Sequence, residues 1–567
     1  MGSNKNKNNS ALDQITVLIP AAGNVSEQLS PLIQRSSSAM MPLNGKPVIF
    51  WTLDYLRQQG FHQIKIAVRD QDSIVKRFVE TIFQDSMDLE FIVPDQDRGV
   101  GYTVLRLAEK VNTSKTLIVL GDTFFQFPNP ELAFVDNSFL LVSPVEEYSR
   151  WCLAERDKNQ RAKRFIDKSE EYNGQGEALI GVYAFHNIGA FQKSLRTVWA
   201  EKSTAGERFE LSSALELYNQ SNPMLCITCQ EWFDCGHLDN LIKSKRKMLQ
   251  VRNFNEITFN EELGTITKKS EDLNKFVNEI QYYSLIPESL RMLFPRIVRS
   301  NCHGSEPFIE MEYYGYPTLT ELFVFEYLDP NLWQKIFRHL FAILKLMKQY
   351  RRPADRWSYK NMYVQRIEER TRRLAESSTQ LASILYGDKI IKINEINCRR
   401  FSSLWPEAKL RFQQMMTEDD FSVIHGDMCF SNVLYDLNSD LCKFIDPRGS
   451  FGHPGVYGDP RYDVAKLYHS AHGLYDFIIN DLFSVQGSDD EFQFTIFVDK
   501  HINIVCEALF GVFEKDFKRS EILLIEGMLF LTMGVFHTDK PERQKAMLLR
   551  GLQIWNEIFE KDWRIKK

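Results

Sequence analysis

Asp427, Asn432 and Asp446 have the types and spacing of a phosphoryl-transfer centre. The first two lie in Val423-Ile424-His425-Gly426-Asp427-Met428-Cys429-Phe430-Ser431-Asn432-Val433-Leu434-Tyr435-Asp436, the third in Lys443-Phe444-Ile445-Asp446-Pro447-Arg448-Gly449. Apolar runs flank a polar loop, so the segment reads as strands that deliver Asp, Asn and Asp to one place. Two strands joined by a short turn would bring Asn432 next to Asp446. Phosphoryl transfer to a hydroxyl needs such a set. One carboxylate orients the hydroxyl and takes its proton, while an amide and a second carboxylate hold Mg²⁺ on the phosphates. A chance Asp- and Asn-rich turn is the bland alternative, and the ordered succession of the parts argues against it.

His425-Gly426-Asp427 with Asn432 five positions on, then Ile445-Asp446, resembles the aminoglycoside phosphotransferase and choline kinase superfamily. The resemblance covers roughly residues 254–563. It implies that Asp427 is the catalytic base, that Asn432 and Asp446 bind Mg²⁺, and that ATP is the donor. Gly458-Asp459-Pro460-Arg461-Tyr462-Asp463-Val464-Ala465 resembles the segment that follows in the family, with Asp463 bracing the catalytic loop from a helix start. A kinase also needs a strand lysine on the nucleotide phosphates, paired with a helix glutamate. Lys268 and Lys269 end the strand after Gly264, and Glu279 lies in the next helix. Lys268 is the better candidate because it shares a face with Ile266, which could cover the nucleotide base; a plain surface lysine is the alternative. Glu312 to Tyr314 are expected to form the hinge, with backbone groups of Glu312 and Tyr313 meeting adenine. No motif identifies the phosphoryl acceptor. Trp357, Tyr359, Tyr457 and Tyr468 could form a cage for a cation such as choline, although such aromatics are more often core or rim.

The first half of the chain carries a second constellation. Pro20-Ala21-Ala22-Gly23 follows an apolar strand, where backbone N–H groups of a small-residue loop can face phosphates. Met41-Pro42-Leu43-Asn44-Gly45-Lys46-Pro47-Val48-Ile49 comes next, then Gly99-Val100-Gly101, Leu120-Gly121-Asp122, Gly181-Val182-Tyr183, Glu210-Leu211-Ser212 and Trp232-Phe233-Asp234-Cys235-Gly236. In this order they resemble the sugar-phosphate nucleotidyltransferases and the phosphocholine cytidylyltransferases over roughly residues 15–250. The resemblance implies that Ala22, Gly23 and Gly101 contact a nucleoside triphosphate, CTP among the candidates. It implies that Asp122 and Asp234 bind the metal that bridges nucleotide and substrate. Two departures stand out. Gln28 takes the place of the family's catalytic Arg, and Ser38 that of its Lys. Loss of cations that stabilise a leaving pyrophosphate costs orders of magnitude in rate unless another cation, such as Arg35, swings in.

The elements that must position these residues alternate in the first half. Strands are expected at residues 15–20, 64–68, 91–93 and 116–120, with helices at about 47–59, 72–83 and 101–111. Later come strand-like segments near 139–142, 151–155, 164–167 and 179–185 and helices near 210–218 and 238–251. This is the rhythm of a doubly wound α/β domain, GT-A-like by the resemblance. A boundary near Arg252 separates it from hairpin-like strands at 254–259 and 264–268, a helix at about 272–285, a strand at 308–313, and mostly helical sequence from Leu332, interrupted by residues 421–458. The second half is thus expected to be an α+β bilobal, protein-kinase-like domain. The organisation is a disordered tail at 1–13, a nucleotidyltransferase-like domain at 14–251 and a kinase-like domain at 252–567.

The 567 residues exceed one ordinary core, and a formal net charge of −6 with no basic block leaves nucleic-acid binding without an electrostatic source. The apolar stretch Ile522 to Phe536 contains Glu526 and reads as a buried core helix, not a membrane span. Nine scattered Cys fit a reduced, cytoplasmic location. Cys226, Cys229, Cys235 and His237 have only partial zinc spacing, since a strand would point Cys226 and Cys229 to opposite faces. The expected function is a bifunctional enzyme. An ATP- and Mg²⁺-dependent kinase phosphorylates a sugar or amino alcohol, and the nucleotidyltransferase couples the product to a nucleotide for surface polysaccharide or lipid precursors. The alternative is a kinase with a degenerate nucleotidyltransferase-like module for binding or regulation. The expected partners are small molecules, with a homo-oligomer compatible and undetermined.

Overall fold

The computed structural model describes residues 11–23, 37–70, 73–127, 137–172, 174–236, 238–251, 257–304, 306–326, 328–388, 390–416, 421–488, 490–498 and 502–565. They divide into two compact units, Met1–Met248 and Leu249–Lys567. Gln28, Arg35, His237 and the first residues of the expected strand at 254–259 lie outside the described residues. So do residues 1–10 of the expected tail. The remainder of that tail is structured: Ala11–Gln14 forms a 3₁₀ turn whose Leu12 is buried. An apolar side chain adjoining the first strand gains more from the core than from solvent.

In the first unit, continuous apolar runs form parallel strands because both faces are covered. Thr16–Pro20 lies between Gln63–Ala67 and Thr116–Val119, all parallel, with Asp88–Ile92 at the edge. The long strand Glu177–Phe185 then adds antiparallel to Thr116–Val119, pairing Val182 with Val119, and carries Phe139–Ser143 and Cys152–Arg156 beyond it. Ala162–Asp167 and Leu225–Thr228 complete a nine-stranded sheet. Helix Val48–Gln59 ends where Gly60 takes φ 96°, as a left-handed cap requires. An element absent from the expectations above is helix Ile188–Ala205. It is capped by the Asn187 side chain, and its buried Ile188, Phe191, Leu195 and Val198 keep helical spacing.

The second unit opens with an antiparallel sheet in the order Ile257–Asn260, Thr265–Lys268, Phe308–Glu312, Ile297–Asn301. Helix Leu273–Leu285 is inserted between its second and third strands along the chain. The remainder is mostly helical, as expected, with one departure. Ile391–Ile393, Ile396–Cys398, Glu491–Ile496 and Phe483–Ser488 form a second four-stranded sheet. The alternation of exposed Glu491, Gln493 and Thr495 with buried Phe492 and Phe494 is the period of a strand half in the core. Helix Arg519–Met533 is buried almost throughout, and its Glu526 meets the His472 imidazole at 3.0 Å. Among the described residues no helix is long and apolar enough to cross a membrane.

One close approach fixes the helix that follows the small sheet. Gly449 has φ 65°, and a Cβ there would lie 2.1 Å from the Asn278 carbonyl oxygen in helix Leu273–Leu285. Gly449→Ala combines a left-handed backbone penalty with a backbone clash. It should destabilise the second unit by about 3 kcal/mol. An unchanged denaturation midpoint in urea would refute this.

Candidate functional sites

The small sheet and its helix build the first part of the C-terminal centre. Lys268 ends strand Thr265–Lys268 with its side chain turned inward, and Glu279 sits on the buried face of helix Leu273–Leu285. The Lys268 Nζ donates to Glu279 Oε1 at 2.9 Å, to Oε2 at 3.0 Å and to Asp446 Oδ1 at 2.8 Å. Lys269 points outward to Glu306. Burial opposes the Lys268 charge, but Asp446 and Glu279 outweigh it and raise its pKa. Burial, followed by repulsion from Asp446, pushes Glu279 up to about 7 despite the ammonium beside it. Two carboxylates on one ammonium leave this corner short of positive charge.

The strand hairpin supplies the rest. Val433–Asp436 and Leu441–Phe444 pair antiparallel with Val433 opposite Phe444, so Asn432 and Ile445 are opposed and Asp446 follows at once. The Ile445 N–H donates to the Asn432 carbonyl at 3.1 Å. Asp446 takes φ 56°, a conformation that Asp tolerates better than most residues and that aims its carboxylate at Lys268. The Asn432 amide donates to the Asp427 carbonyl at 2.8 Å. Its Nδ2 is thereby committed, and Oδ1 is the atom available to a cation. Asp446 with Asn432 Oδ1 is an oxygen donor set that suits Mg²⁺, which completes its shell with phosphates and water.

The loop that carries Asp427 is held from three directions. Asp463, buried on helix Pro460–Ala471, accepts the His425 N–H at 2.7 Å and the Gly426 N–H at 2.8 Å. This is the bracing expected of it, and burial nonetheless pushes its carboxyl up to about 7. The His425 Nδ1 accepts the Asp427 N–H at 3.2 Å, so the proton lies on Nε2, which donates to the Ile445 carbonyl at 3.0 Å. Burial lowers His425 to about 4, so it stays neutral. Lys466, one turn after Asp463, places Nζ 2.7 Å from Asp427 Oδ1. Burial would raise the Asp427 carboxyl, but Lys466 outweighs it and holds the group below its ordinary value. Lys466 was missed by sequence reasoning. The signal was its helical spacing from Asp463, which puts both side chains on one face.

At the expected hinge two backbone donors are already engaged. The Glu312 N–H donates to the Arg296 carbonyl and the Tyr313 N–H to the Gly264 carbonyl, each at 3.0 Å. Both donors are consumed by the sheet, so a backbone donor to a base would have to come from beyond Tyr313. The four aromatics suggested as a cage do not form one. Tyr468 packs in the core against Phe510, Trp357 stacks on His453, and the guanidiniums of Arg461 and Arg352 lie against Tyr359 and Tyr457.

In the first unit, strands Thr123–Gln126 and Glu231–Asp234 pair antiparallel with Thr123 opposite Asp234. That register sets Asp122 beside Cys235, whose N–H donates to the Asp122 carbonyl at 3.0 Å. Both carboxylates converge over Gly236. A Cβ added there would lie 2.9 Å from Asp122 Oδ2 and 3.4 Å from Asp234 Oδ1. The space kept open by Gly236 between two hard oxygens suits a divalent cation. Among the described residues no group of three or more His, Cys, Asp or Glu forms a metal site, so phosphates and water would supply the other ligands. Asn240 orients Asp234, its Nδ2 donating to Oδ2 at 2.8 Å. A cavity of about 320 Å³ adjoins Asp234, lined in part by Trp151, Trp232, Arg150, Lys243 and Lys247.

Ala22 and Gly23 follow the carboxyl end of the first strand, and among the described residues nothing lies within 4 Å of where a Gly23 Cβ would be. Arg69 donates to the Gly23 carbonyl at 3.0 Å, which brings to this loop a cation that the motifs did not indicate. Gly101 is different. Its N–H donates to the Phe209 carbonyl at 2.9 Å, and a Cβ would fall 2.8 Å from the Phe209 ring. Gly101 thus also permits close packing of its helix on Phe209. The thiols of Cys226 and Cys229 are pushed by burial up to about 12 and about 11.

The charge balance at Lys268 has a measurable consequence. Glu279 has a folded pKa near 7, above its unfolded value of about 4.3, so the stability linked to its protonated form is fully present at low pH. It fades as pH rises through 7. Lys268→Met removes the only counter-charge that Glu279 contacts in this trio and raises its pKa further. The loss should be on the order of 3 kcal/mol at pH ~8 and clearly smaller at pH ~5.5. Equal losses at both pH values in thermal unfolding would contradict this account.

Comparison with known proteins bears on the first unit. Residues 17–251 match the family model described as nucleotidyl transferase. The glucose-1-phosphate thymidylyltransferase of Streptomyces antibioticus is 23% identical over 237 residues, 40% of this chain and 65% of the relative. The D-glycero-alpha-D-manno-heptose 1-phosphate guanylyltransferase of Campylobacter jejuni is 21% identical over 162 residues, 28% of this chain and 72% of the relative. Among solved structures, UTP-bound UGPase from Acinetobacter baumannii is 14% identical, with a TM-score of 0.36 and coverage of 42% of this chain and 95% of that one. The matched region thus spans about two thirds of the first relative's length, and residues 17–251 form a nucleotidyltransferase domain.

Proposed function

We propose that the chain is a bifunctional enzyme: a Mg²⁺- and ATP-dependent small-molecule kinase joined to a sugar-1-phosphate nucleotidyltransferase. The observation that carries the kinase half is the Lys268 ammonium held between Glu279 and Asp446, with Asp427 and Asn432 joined next to it. In this reading Lys268 meets the nucleotide phosphates, and Asp446 with Asn432 would hold Mg²⁺. Asp427, kept ionised by Lys466, accepts the acceptor's proton. The acceptor oxygen bonds to the γ-phosphorus as the bond to the bridging oxygen breaks, and ADP leaves.

For the first unit, the convergence of Asp122 and Asp234 over Gly236 supports a catalytic domain. A phosphate oxygen of a sugar 1-phosphate attacks the α-phosphorus of a nucleoside triphosphate, and pyrophosphate leaves. The relatives named above act on sugar phosphates with different nucleotides, so the base stays open, CTP included. Fusion of the two activities would raise the local concentration of the phosphorylated intermediate. The second reading, a kinase with a binding or regulatory nucleotidyltransferase-like unit, draws on Ser38, which offers no cation where the family has Lys. Arg69 beside Gly23 favours the active reading.

Asp427→Asn preserves the shape next to Lys466 and removes the base. It should lower phosphoryl transfer by at least about 100-fold with folding intact. Near-normal ATP-dependent product formation would sink the assignment. For the first unit, pyrophosphate release with nucleoside triphosphates and sugar 1-phosphates should vanish in Asp122→Asn, and Arg69→Gln should lower it about 10- to 100-fold. No release from any pair, with kinase turnover retained, would leave the second reading.

A further inference from the structure

The walls of the C-terminal centre differ in sign. Near Lys268 carboxylates are in excess, whereas cations are in excess beyond Asp427. A π-helical turn at Asn361–Gln365 leads into helix Arg366–Ser377, and such turns often re-aim side chains at functional sites. Arg366 and Arg370 follow on one face, one turn apart. Arg448 Nη1 donates to the hydroxyl of buried Tyr462 at 3.1 Å, and the Arg366 charge acts on the same phenol. Arg370 lies over the Phe536 ring, 4.7 Å from its centroid. Three guanidiniums thus gather near one phenol.

Among the described residues no carboxylate pairs directly with these cations, although Glu369 acts on Arg370 and Asp427 on Arg448 at longer range. Arg366 Nε and Arg370 Nη1 are buried with no hydrogen-bond partner among the described residues. The nearby carboxylates are engaged elsewhere. Asp427 pairs with Lys466, and Asp463 accepts the His425 and Gly426 N–H groups. Glu368 accepts from Trp405 and Lys409, and Glu369 faces Arg373. Burial with the neighbouring Arg448 lowers Arg366 to about 9, and burial lowers Arg370 to about 10. Burial alone would raise Tyr462, but Arg366, Arg448 and Lys466 bring it down to about 8. Buried donors without partners and clustered like charges are each costly, and an incoming anion relieves both.

The cluster adjoins the reacting position. Tyr462 precedes Lys466 by one turn on helix Pro460–Ala471, and Lys466 holds Asp427. The Arg448 N–H donates to the His425 carbonyl at 3.0 Å, and a Cβ on Gly426 would lie 2.9 Å from Arg448 Cβ. We propose that the phosphoryl acceptor is itself an anion, a hydroxyl compound bearing a phosphate or a carboxylate, whose charged group is bound by Arg366, Arg370 and Arg448 while its hydroxyl meets Asp427. This deepens the kinase reading and rests on it. It also excludes cationic acceptors, because an ammonium compound would be repelled by the same three side chains.

The test is an ATP-dependent phosphorylation assay with matched acceptors: a neutral hexose, its phosphate, its carboxylate derivative and choline. An anionic acceptor should show a KM at least about 10-fold below the neutral parent, and the phosphate and carboxylate arms identify the oxyanion. Arg366→Gln and Arg370→Gln should each raise the KM of the anionic acceptor about 10- to 100-fold, collapsing that preference, with kcat changed far less. Preference for choline or the neutral hexose, or a fall in kcat at unchanged KM, would overturn the proposal. Failure of the kinase reading looks different: no product with any acceptor and no ATP turnover sensitive to Asp427→Asn. In that case inorganic phosphate decides. A phosphate-induced rise in melting temperature that is larger in the wild type than in the two Arg variants supports the anion site, and equal rises refute it.

Discussion

The C-terminal unit depends on one buried ammonium. Lys268 joins a strand of the small sheet and the nearby helix that carries Glu279 to the turn that carries Asp446, 178 residues further along the chain. A buried charge is tolerated only when it is paired and hydrogen-bonded, so these pieces are held in one register or the pairing fails. Gly449 makes the geometry attainable by letting the backbone after Asp446 touch the helix at Asn278. The two carboxylates exceed the single ammonium, and Glu279 near 7 reports the excess. A divalent cation held at Asp446 would more than offset that excess.

The opposite wall follows a complementary logic. Lys466 matches Asp427, and Asp463 fixes the loop through two backbone N–H groups. The guanidiniums of Arg448 and Arg366 act on Tyr462, with Arg370 one turn beyond Arg366. In the nucleotidyltransferase domain the organising constraint is strand register: pairing Thr123 with Asp234 brings two carboxylates over a residue with no side chain.

Much of this was legible in the chain. Apolar runs fixed the parallel strands of the first unit, and the spacing of Asp427, Asn432 and Asp446 indicated a hairpin that joins them. The choice of Lys268 over Lys269 followed from strand alternation. Helix Ile188–Ala205 carried a readable period of its own. Lys466 was also readable, given the helix that begins at Asp463. By contrast, nothing in a linear reading shows that the N–H groups of Glu312 and Tyr313 are taken by the sheet, or that Phe209 fills the space above Gly101.

The sequence by itself determined which side chains could do chemistry and, through local periodicity, which element carries each. Those are short-range properties, set by backbone geometry within a few residues. The tertiary structure alone decided the charge balance of the sites: Glu279 against Asp446, Lys466 on Asp427, Arg69 at Gly23, and three guanidiniums at one phenol. Those depend on distance and burial between segments that are remote along the chain. Coulomb energy and desolvation respond to that proximity and not to order in sequence.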